Sequence, residues 1–496
     1  MDCSPKRRRP SSATGALEPS IASSRDSRPS IGTGRRGGPT PPGRHPSFRP
    51  GGTRTPERRR DGPPDDRPRR RRCPVAAGHA VREPVTVLDL RSIRAKFPAL
   101  ARIGEDGKPP VLADAPGGSQ VPDAVIEAVA GHYRRGMSNT HGVFATSEET
   151  DDVISEARCA AADLTGADPG EIVFGPNATT LLFHLSRSFS KTLEPGDEVV
   201  VTRLDHDANV RPWILAAADA GATVRWVDVR EDDVTIDIGS FRAALSPRTK
   251  LVAFTLASNA VGTIPPAADL VAIAKDVGAV VAVDAVHLAQ HRLPDVHGLG
   301  ADILVCSPYK FFGPHLGILA ARRRLLEMWT PYKLIPASDG TPERWETGTQ
   351  NHEGLAGLVA AVEYLAGIAG AAGTSRRARL AASYDAIAAH EKTLADRFLE
   401  GIATLPGVRL WGISDRVRLD ERTPTFAIRV EDEHPAQTAK RLASQGIFVW
   451  DGDYYAREIM VRLGLFESGG AVRIGFCHYH TGGEVDRVLQ ALADLS

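Results

Sequence analysis

The chain has 496 residues, and its 61 Lys and Arg are matched by 61 Asp and Glu for a formal net charge of +0; that length is ample for a large core and more than one domain. The balance is uneven. Residues 1–82 are crowded with Arg, Pro, Gly and Ser, so the remainder carries the compensating negative charge, which argues against a nucleic-acid groove in the folded part. Five scattered cysteines, Cys3, Cys73, Cys159, Cys306 and Cys477, form no C-x-x-C or framework spacing, which argues against a disulfide scaffold and for a reducing, cytoplasmic setting.

The N-terminal stretch has no apolar segment of the secretory-signal kind. Its prolines and the acids Asp61, Asp65 and Asp66 set it apart from an organelle transit peptide. Residues 1–84 are expected to be a disordered Arg/Pro-rich tail; the competing reading is a basic arm for nucleic acid or anionic surfaces. The most apolar stretch, residues 355–372, carries Glu363 at its centre and many Gly and Ala, so it reads as a buried or interface helix, not a membrane span.

Ordered structure is expected from about Val85. Asp89 caps a short helix, and residues 109–118 form a short strand and turn ending in Pro116-Gly117-Gly118. Val125, Ile126, Val129 and Tyr133 recur at helical spacing over residues 122–135. A loop at 138–142 leads into a helix containing residues 155–164. The short apolar run 171–174 is a strand, and Gly175 to Thr180 is a small polar turn before a helix from Leu181. Strand, polar turn and helix start can hold a phosphate on free backbone N–H groups; a capped helix with no ligand gives the same pattern.

Further strands are expected at 198–202, 223–229, 251–255, 280–284 and 303–306, alternating with helices such as 270–277. This is the pattern of a doubly wound, mostly parallel α/β sheet. His206 follows one strand, and Asn259 lies in the turn after another. After residues 316–321 and the loop 346–350, a helix starts near Gly354 and another covers residues 374–405. Strands at 425–430, 447–450 and 471–476 and a helix at 481–495 then suggest a second, smaller α+β domain.

Two strand ends matter most. Val280–Asp284 finishes in a carboxylate, and Ile303–Cys306 is followed by Ser307, Tyr309 and Lys310. In open α/β sheets, ligands bind beyond the carboxyl ends of the strands. An Asp and a Lys at neighbouring strand ends suit pyridoxal phosphate: the lysine forms a Schiff base, and the carboxylate keeps the pyridine nitrogen protonated. Either residue alone has an ordinary explanation, a solvated loop lysine or a helix-capping aspartate.

From residue 88 to 496 these motifs, in order, resemble the class V aminotransferase family of fold-type I pyridoxal-phosphate enzymes, and within it the cysteine desulfurase-like proteins. The resemblance implies a homodimer with shared active sites, and an α-amino acid substrate handled through an external aldimine. Lys310 would carry the Schiff base, Asp284 would pair with the pyridine nitrogen, and His206 would stack on the ring. His287 would stand near the ring's phenolic oxygen. Ala178, Thr179, Ser307 and Tyr309 would lie around the phosphate, with Gly348 and Thr349 reaching it from the neighbouring subunit. Asn259 and Arg473 would bind the substrate carboxylate, for which a planar guanidinium is suited. The implied division is the tail, a large cofactor domain over 85–365 whose first part, 85–135, also touches the smaller domain, and a small domain over 366–496.

The chain also departs from the family. Tyr309 stands where His is usual, and His287 where desulfurases commonly have Gln. The segment Trp450-Asp451-Gly452-Asp453-Tyr454-Tyr455-Ala456 has no thiol where desulfurases carry their nucleophilic cysteine. Cys477 is the only nearby candidate, four residues along an expected strand from Arg473. The resemblance therefore implies a lyase-like or transaminase-like enzyme, with desulfuration through an unconventional thiol as the second reading. Nucleic-acid binding through the basic arm is the non-enzymatic one. No metal site is expected.

Overall fold

The computed structural model describes residues 88–104, 107–370 and 374–495, all within one compact unit. The expected tail, the basic-arm reading, Cys3 and Cys73 lie outside the described residues. Seven strands make the large sheet: β1 (Ile172–Gly175), β2 (Glu198–Thr202), β3 (Thr223–Val227), β4 (Thr249–Thr255), β5 (Val280–Asp284), β6 (Ile303–Cys306) and β7 (Gly317–Ala321). Their order is β1-β7-β6-β5-β4-β2-β3. Strands β6, β5, β4, β2 and β3 pair in parallel, while β7 is antiparallel to β6 and β1.

The apolar runs explain this order. Side chains alternate between faces along β4 to β6. Val252, Phe254, Val281, Val283 and Leu304 enter one core, and Leu251, Ala253, Ala282, Ile303 and Val305 enter the other. A strand buried on both faces needs apolar residues at every position, so these segments read as continuous runs and occupy the middle of the sheet.

A second sheet contains β8 (Val408–Trp411), β9 (Thr425–Val430), β10 (Trp450–Gly452) and β11 (Ala471–Gly475), ordered β10-β11-β9-β8 and antiparallel throughout. Helices Arg376–Ile402 and Gly482–Ala493 supply Leu394, Phe398, Val485 and Val488 to its core, where they meet Phe426, Ile474 and Phe476. Near the start of the described chain, Val111 bridges Ile447 and Asp114 bridges Gly475, so this N-terminal segment runs beside the small sheet.

Several boundaries differ from expectation, and β8 was not expected. The strand expected over 447–450 begins only at Trp450, because Gly446 turns the chain at φ +71° and Ile447 is drawn into the single bridge to Val111. The strand expected to run through Phe476 stops at Gly475, so side-chain alternation does not extend from Arg473 to Cys477. The helix expected from 355 to 372 is His352–Ala366. Among the described residues no helix is long and apolar enough to cross a membrane.

One buried ion pair ties the parts near the first strand together. Glu346 accepts two bonds from Arg158, at 2.9 and 2.7 Å, and one from the Phe174 backbone N–H at 2.9 Å. Arg158 also donates to the Ile172 carbonyl at 2.7 Å. The pair thus fixes helix Ala145–Thr165, β1 and the segment that leads into residues 347–350. Its side chains are only 10% and 7% exposed. Removing one partner strands a buried charge, so Glu346→Ala is expected to lose on the order of 3 kcal/mol, seen as a lower urea midpoint than for wild type and for Glu346→Gln.

Candidate active site

Strands β5 and β6 are adjacent and parallel, so Asp284 and the turn Pro308–Lys310 open on the same sheet edge. Asp284 is buried and accepts the Val286 N–H at 2.7 Å. Burial raises its pKa to about 6, against the opposing pull of that bond and of the Lys310 charge. The Lys310 amine donates to the Pro116 carbonyl and, at 3.0 Å, to the Gly117 carbonyl. Burial lowers its pKa to about 7; the Arg473 charge lowers it too, while Asp114 and Asp284 pull upward.

His206 caps a short turn and accepts the Ala208 N–H on Nδ1 at 3.0 Å. Burial, then the Lys310 and Arg473 charges, push its pKa down to about 4, so it is a neutral, flat surface at neutral pH. Its ring stacks on Tyr455, with centroids 5.6 Å apart and planes 24° off parallel. Beneath it, Asp205 is buried and raised to about 8 by desolvation, and it accepts from Thr202 and, at 2.7 Å, from Asn209.

The polar turn after β1 enters helix Ala178–Ser190 through Asn177, which accepts the Thr180 N–H at 2.8 Å. The Ala178 N–H donates to Ser307 Oγ at 3.2 Å, joining this helix start to the turn that carries Lys310. Thr179 is exposed on the same first turn. Gly317 allows the close approach, since a Cβ there would lie 2.4 Å from the Asn177 carbonyl carbon.

Across the site, Arg473 donates to the Asn259 carbonyl at 3.1 Å and to Asp114 at 3.3 Å. Asn259 Nδ2 donates to the Tyr454 carbonyl at 2.9 Å. The Asp207 N–H donates to the Tyr455 carbonyl at 2.7 Å. The loop without a cysteine therefore closes directly over His206 and Asn259. Tyr454 and Tyr455 both have positive φ, +55° and +56°, a strained conformation for residues with a Cβ.

The structure brings Lys310, Asp284, His206, Asn259, Arg473, Ser307 and Ala178 to one edge of the large sheet. His287 lies beside them, but its Nε2 is taken by Thr423 and Thr425 at 3.2 and 3.0 Å, and its Nδ1 has no partner. Tyr309 stacks on His315, 4.9 Å between centroids. Thr349 lines a pocket of about 250 Å³ with Gly175, Thr180, His184 and His315, which Gly348 and Lys310 do not line. Sequence reasoning missed Asp114, Tyr454 and Tyr455 as site residues. The only signal for Asp114 was an acid inside an apolar run before Pro116-Gly117-Gly118.

The aminotransferase class-V family model matches residues 111–488. This chain belongs to the aminotransferase class-V family. A probable cysteine desulfurase of Mycobacterium leprae is 33% identical, over 82% of this chain and 96% of that protein. A cysteine desulfurase of Klebsiella pneumoniae is 30% identical, over 81% and 97%. The apo structure of a cysteine desulfurase from Thermococcus onnurineus NA1 superposes with a TM-score of 0.73 at 27% identity, covering 83% of this chain and 98% of that one. As a class-V protein the chain is a pyridoxal-phosphate-dependent enzyme of fold type I.

A lysine with a pKa near 7 is largely neutral at pH 7.5, where ordinary lysines are protonated. In cofactor-free protein, limiting acetic anhydride is expected to modify Lys310 ahead of the exposed lysines, with a rate that rises with pH through a midpoint near 7. Peptide mass spectrometry across pH 6–9 checks it.

Proposed function

We propose that Lys310 holds pyridoxal 5'-phosphate covalently and that the enzyme acts at the α-carbon of an α-amino acid, in a lyase- or transaminase-type reaction. The observation that carries this is the convergence of Asp284, Lys310, His206 and Arg473 on one buried edge of the sheet. The side chains suit the cofactor. A buried carboxylate with a raised pKa gains from a cationic ring nitrogen beside it, and a depressed lysine pKa supplies a neutral amine. His287 Nδ1, Gln290 Oε1, Asn259 Oδ1 and Arg473 Nε are buried polar atoms without partners, in need of groups that a ligand would bring.

Bound there, the cofactor supplies an electron sink for the bonds at the substrate's α-carbon. The protein supplies the rest. Asp284 keeps a proton on the ring nitrogen. His206 covers a ring face. Ala178, Thr179, Ser307 and Tyr309 would lie around the phosphate, at the positive end of the helix that starts at Ala178. Arg473, with the second N–H of Asn259 Nδ2, would orient the substrate carboxylate. Lys310, a largely neutral amine once released, would take and return the proton at the α-carbon.

The second reading, desulfuration through Cys477, has little support. That thiol is fully buried, its Sγ lies 3.7 Å from His480 Nδ1, and burial holds its pKa well above the ordinary thiol range. A persulfide needs a thiolate that can reach the substrate sulfur. The loop Trp450–Ala456 offers none.

On the same reading residues 85–365 form the cofactor domain and 366–496 the smaller one, in a cytoplasmic homodimer whose Gly348 and Thr349 complete the partner's phosphate site. Met137, Val143 and Phe144 support an interface, since each is more than half exposed. Sedimentation is expected to show a dimer, and a Val143→Glu, Phe144→Glu double variant a monomer.

The direct test uses purified holo-protein. Borohydride treatment followed by peptide mapping is expected to place the cofactor on Lys310. Lys310→Ala is expected to lower turnover of its amino-acid substrate at least about 10³-fold. With L-cysteine, Cys477→Ser is expected to match wild type in sulfide release. Full turnover by Lys310→Ala would overturn the assignment, and loss of sulfide release in Cys477→Ser would favour the desulfurase reading.

A further inference from the structure

Arg473, assigned above to the substrate carboxylate, is already paired. Its Nη2 donates to Asp114 Oδ1 at 3.3 Å, Nη1 donates to the Asn259 carbonyl at 3.1 Å, and Nε is buried with no partner. The guanidinium carbon lies 4.7 Å from the centre of the Tyr454 ring.

Asp114 is held firmly beside the reacting amine. Its backbone is fixed by the bridge to Gly475. Its carboxylate packs on Gly117, where a Cβ would fall 2.3 Å from Oδ2, and the Gly117 carbonyl accepts from Lys310 at 3.0 Å. The Asp114 side chain remains 27% exposed and is not sealed in the core. Its charge acts on Lys310 more strongly than that of Asp284.

Asn259 adds a second acceptor. A carbonyl can only accept, so the Asn259 atom facing the Tyr454 carbonyl at 2.9 Å is Nδ2. That orientation leaves Oδ1 as the free atom, buried and without a partner. Beside Lys310 there are thus an arginine paired with Asp114 and two acceptors: Asn259 Oδ1, which has no partner, and the Asp114 carboxylate, which accepts from Arg473 and from Trp450 and keeps further lone pairs. A site built to accept hydrogen bonds rejects molecules that leave its acceptors bare. The α-amino group is committed to the reaction, so a donor must come from the substrate's side chain.

We propose that Asp114, together with Asn259 Oδ1, selects α-amino acids whose side chain carries a hydrogen-bond donor, a second ammonium or a hydroxyl. An aliphatic side chain offers the two acceptors nothing. This inference rests on the assignment of Lys310 and Arg473 to amino-acid chemistry.

The test is calorimetric titration of full-length holo-protein, wild type, Asp114→Asn and Asp114→Ala, with L-alanine, L-serine, L-ornithine and L-2,3-diaminopropionate. The cofactor absorbance is recorded alongside. Asp114→Asn keeps an oxygen for Arg473 and so preserves the fold if the alanine variant does not. Wild type is expected to bind the best donor-bearing amino acid at least about tenfold more tightly than alanine. Asp114→Asn is expected to remove most of that preference and to strengthen alanine binding. Tightest binding by a diamino acid names ammonium as the group read, and tightest binding by serine names hydroxyl. Equal affinities in wild type, or an undiminished preference in Asp114→Asn, overturn this inference and leave the assignment of the site standing. Absence of any heat or absorbance change with every amino acid overturns both.

Discussion

The Lys310 amine sits where burial and the Arg473 guanidinium disfavour a proton, while Asp114 and Asp284 favour one. The balance leaves a lysine that is neutral over much of the neutral pH range, which an amine needs to attack a carbonyl or remove a proton. Each contributor comes from a different part of the chain. Asp284 ends β5, Arg473 lies on β11 of the small sheet, and Asp114 bridges to that sheet from the N-terminal segment. The electrostatics of one nitrogen thus depend on both sheets being correctly placed, and on the clamps that hold the surrounding segments, such as Arg158–Glu346.

The central sheet was readable from sequence because burial on both faces leaves no choice of residue type along β4, β5 and β6. The positions of Asp284, Ser307 and Lys310 followed, since polar residues at the ends of such runs must lie on the sheet edge. Asn259 and Arg473 came from family resemblance, and the structure places them in contact. Asp114 was not readable in the same way: its significance lies in a contact with Arg473, 359 residues away, and nothing local distinguishes it from a turn-forming aspartate. The start of β10 was misplaced for a similar reason. Ile447, Phe448 and Val449 carry the composition of a strand, but the first of them is claimed by Val111, and pairing with β11 waits until Trp450.

Similarity to cysteine desulfurases extends over most of the chain, and the sheet edge carries the groups that this fold can position. The sulfur-handling part of such an enzyme is a separate matter, located in a loop over the site. Here that loop presents Tyr454 and Tyr455, and the one cysteine near the end of β11 points into protein. Fold and cofactor chemistry therefore travel together in this molecule, while the loop over the sheet edge varies independently.

That loop is fastened to the large sheet's edge by two main-chain carbonyls, those of Tyr454 and Tyr455, which accept from Asn259 and from the Asp207 N–H. Neither bond involves the identity of the loop side chains. Tyr454 is also tied by its side chain, whose hydroxyl donates to the Ala471 carbonyl, whereas Tyr455 is exposed: its position can be exchanged while both main-chain anchors persist. A reactive group could be gained or lost at position 455 without rebuilding the loop, provided the new residue tolerates the left-handed backbone found there.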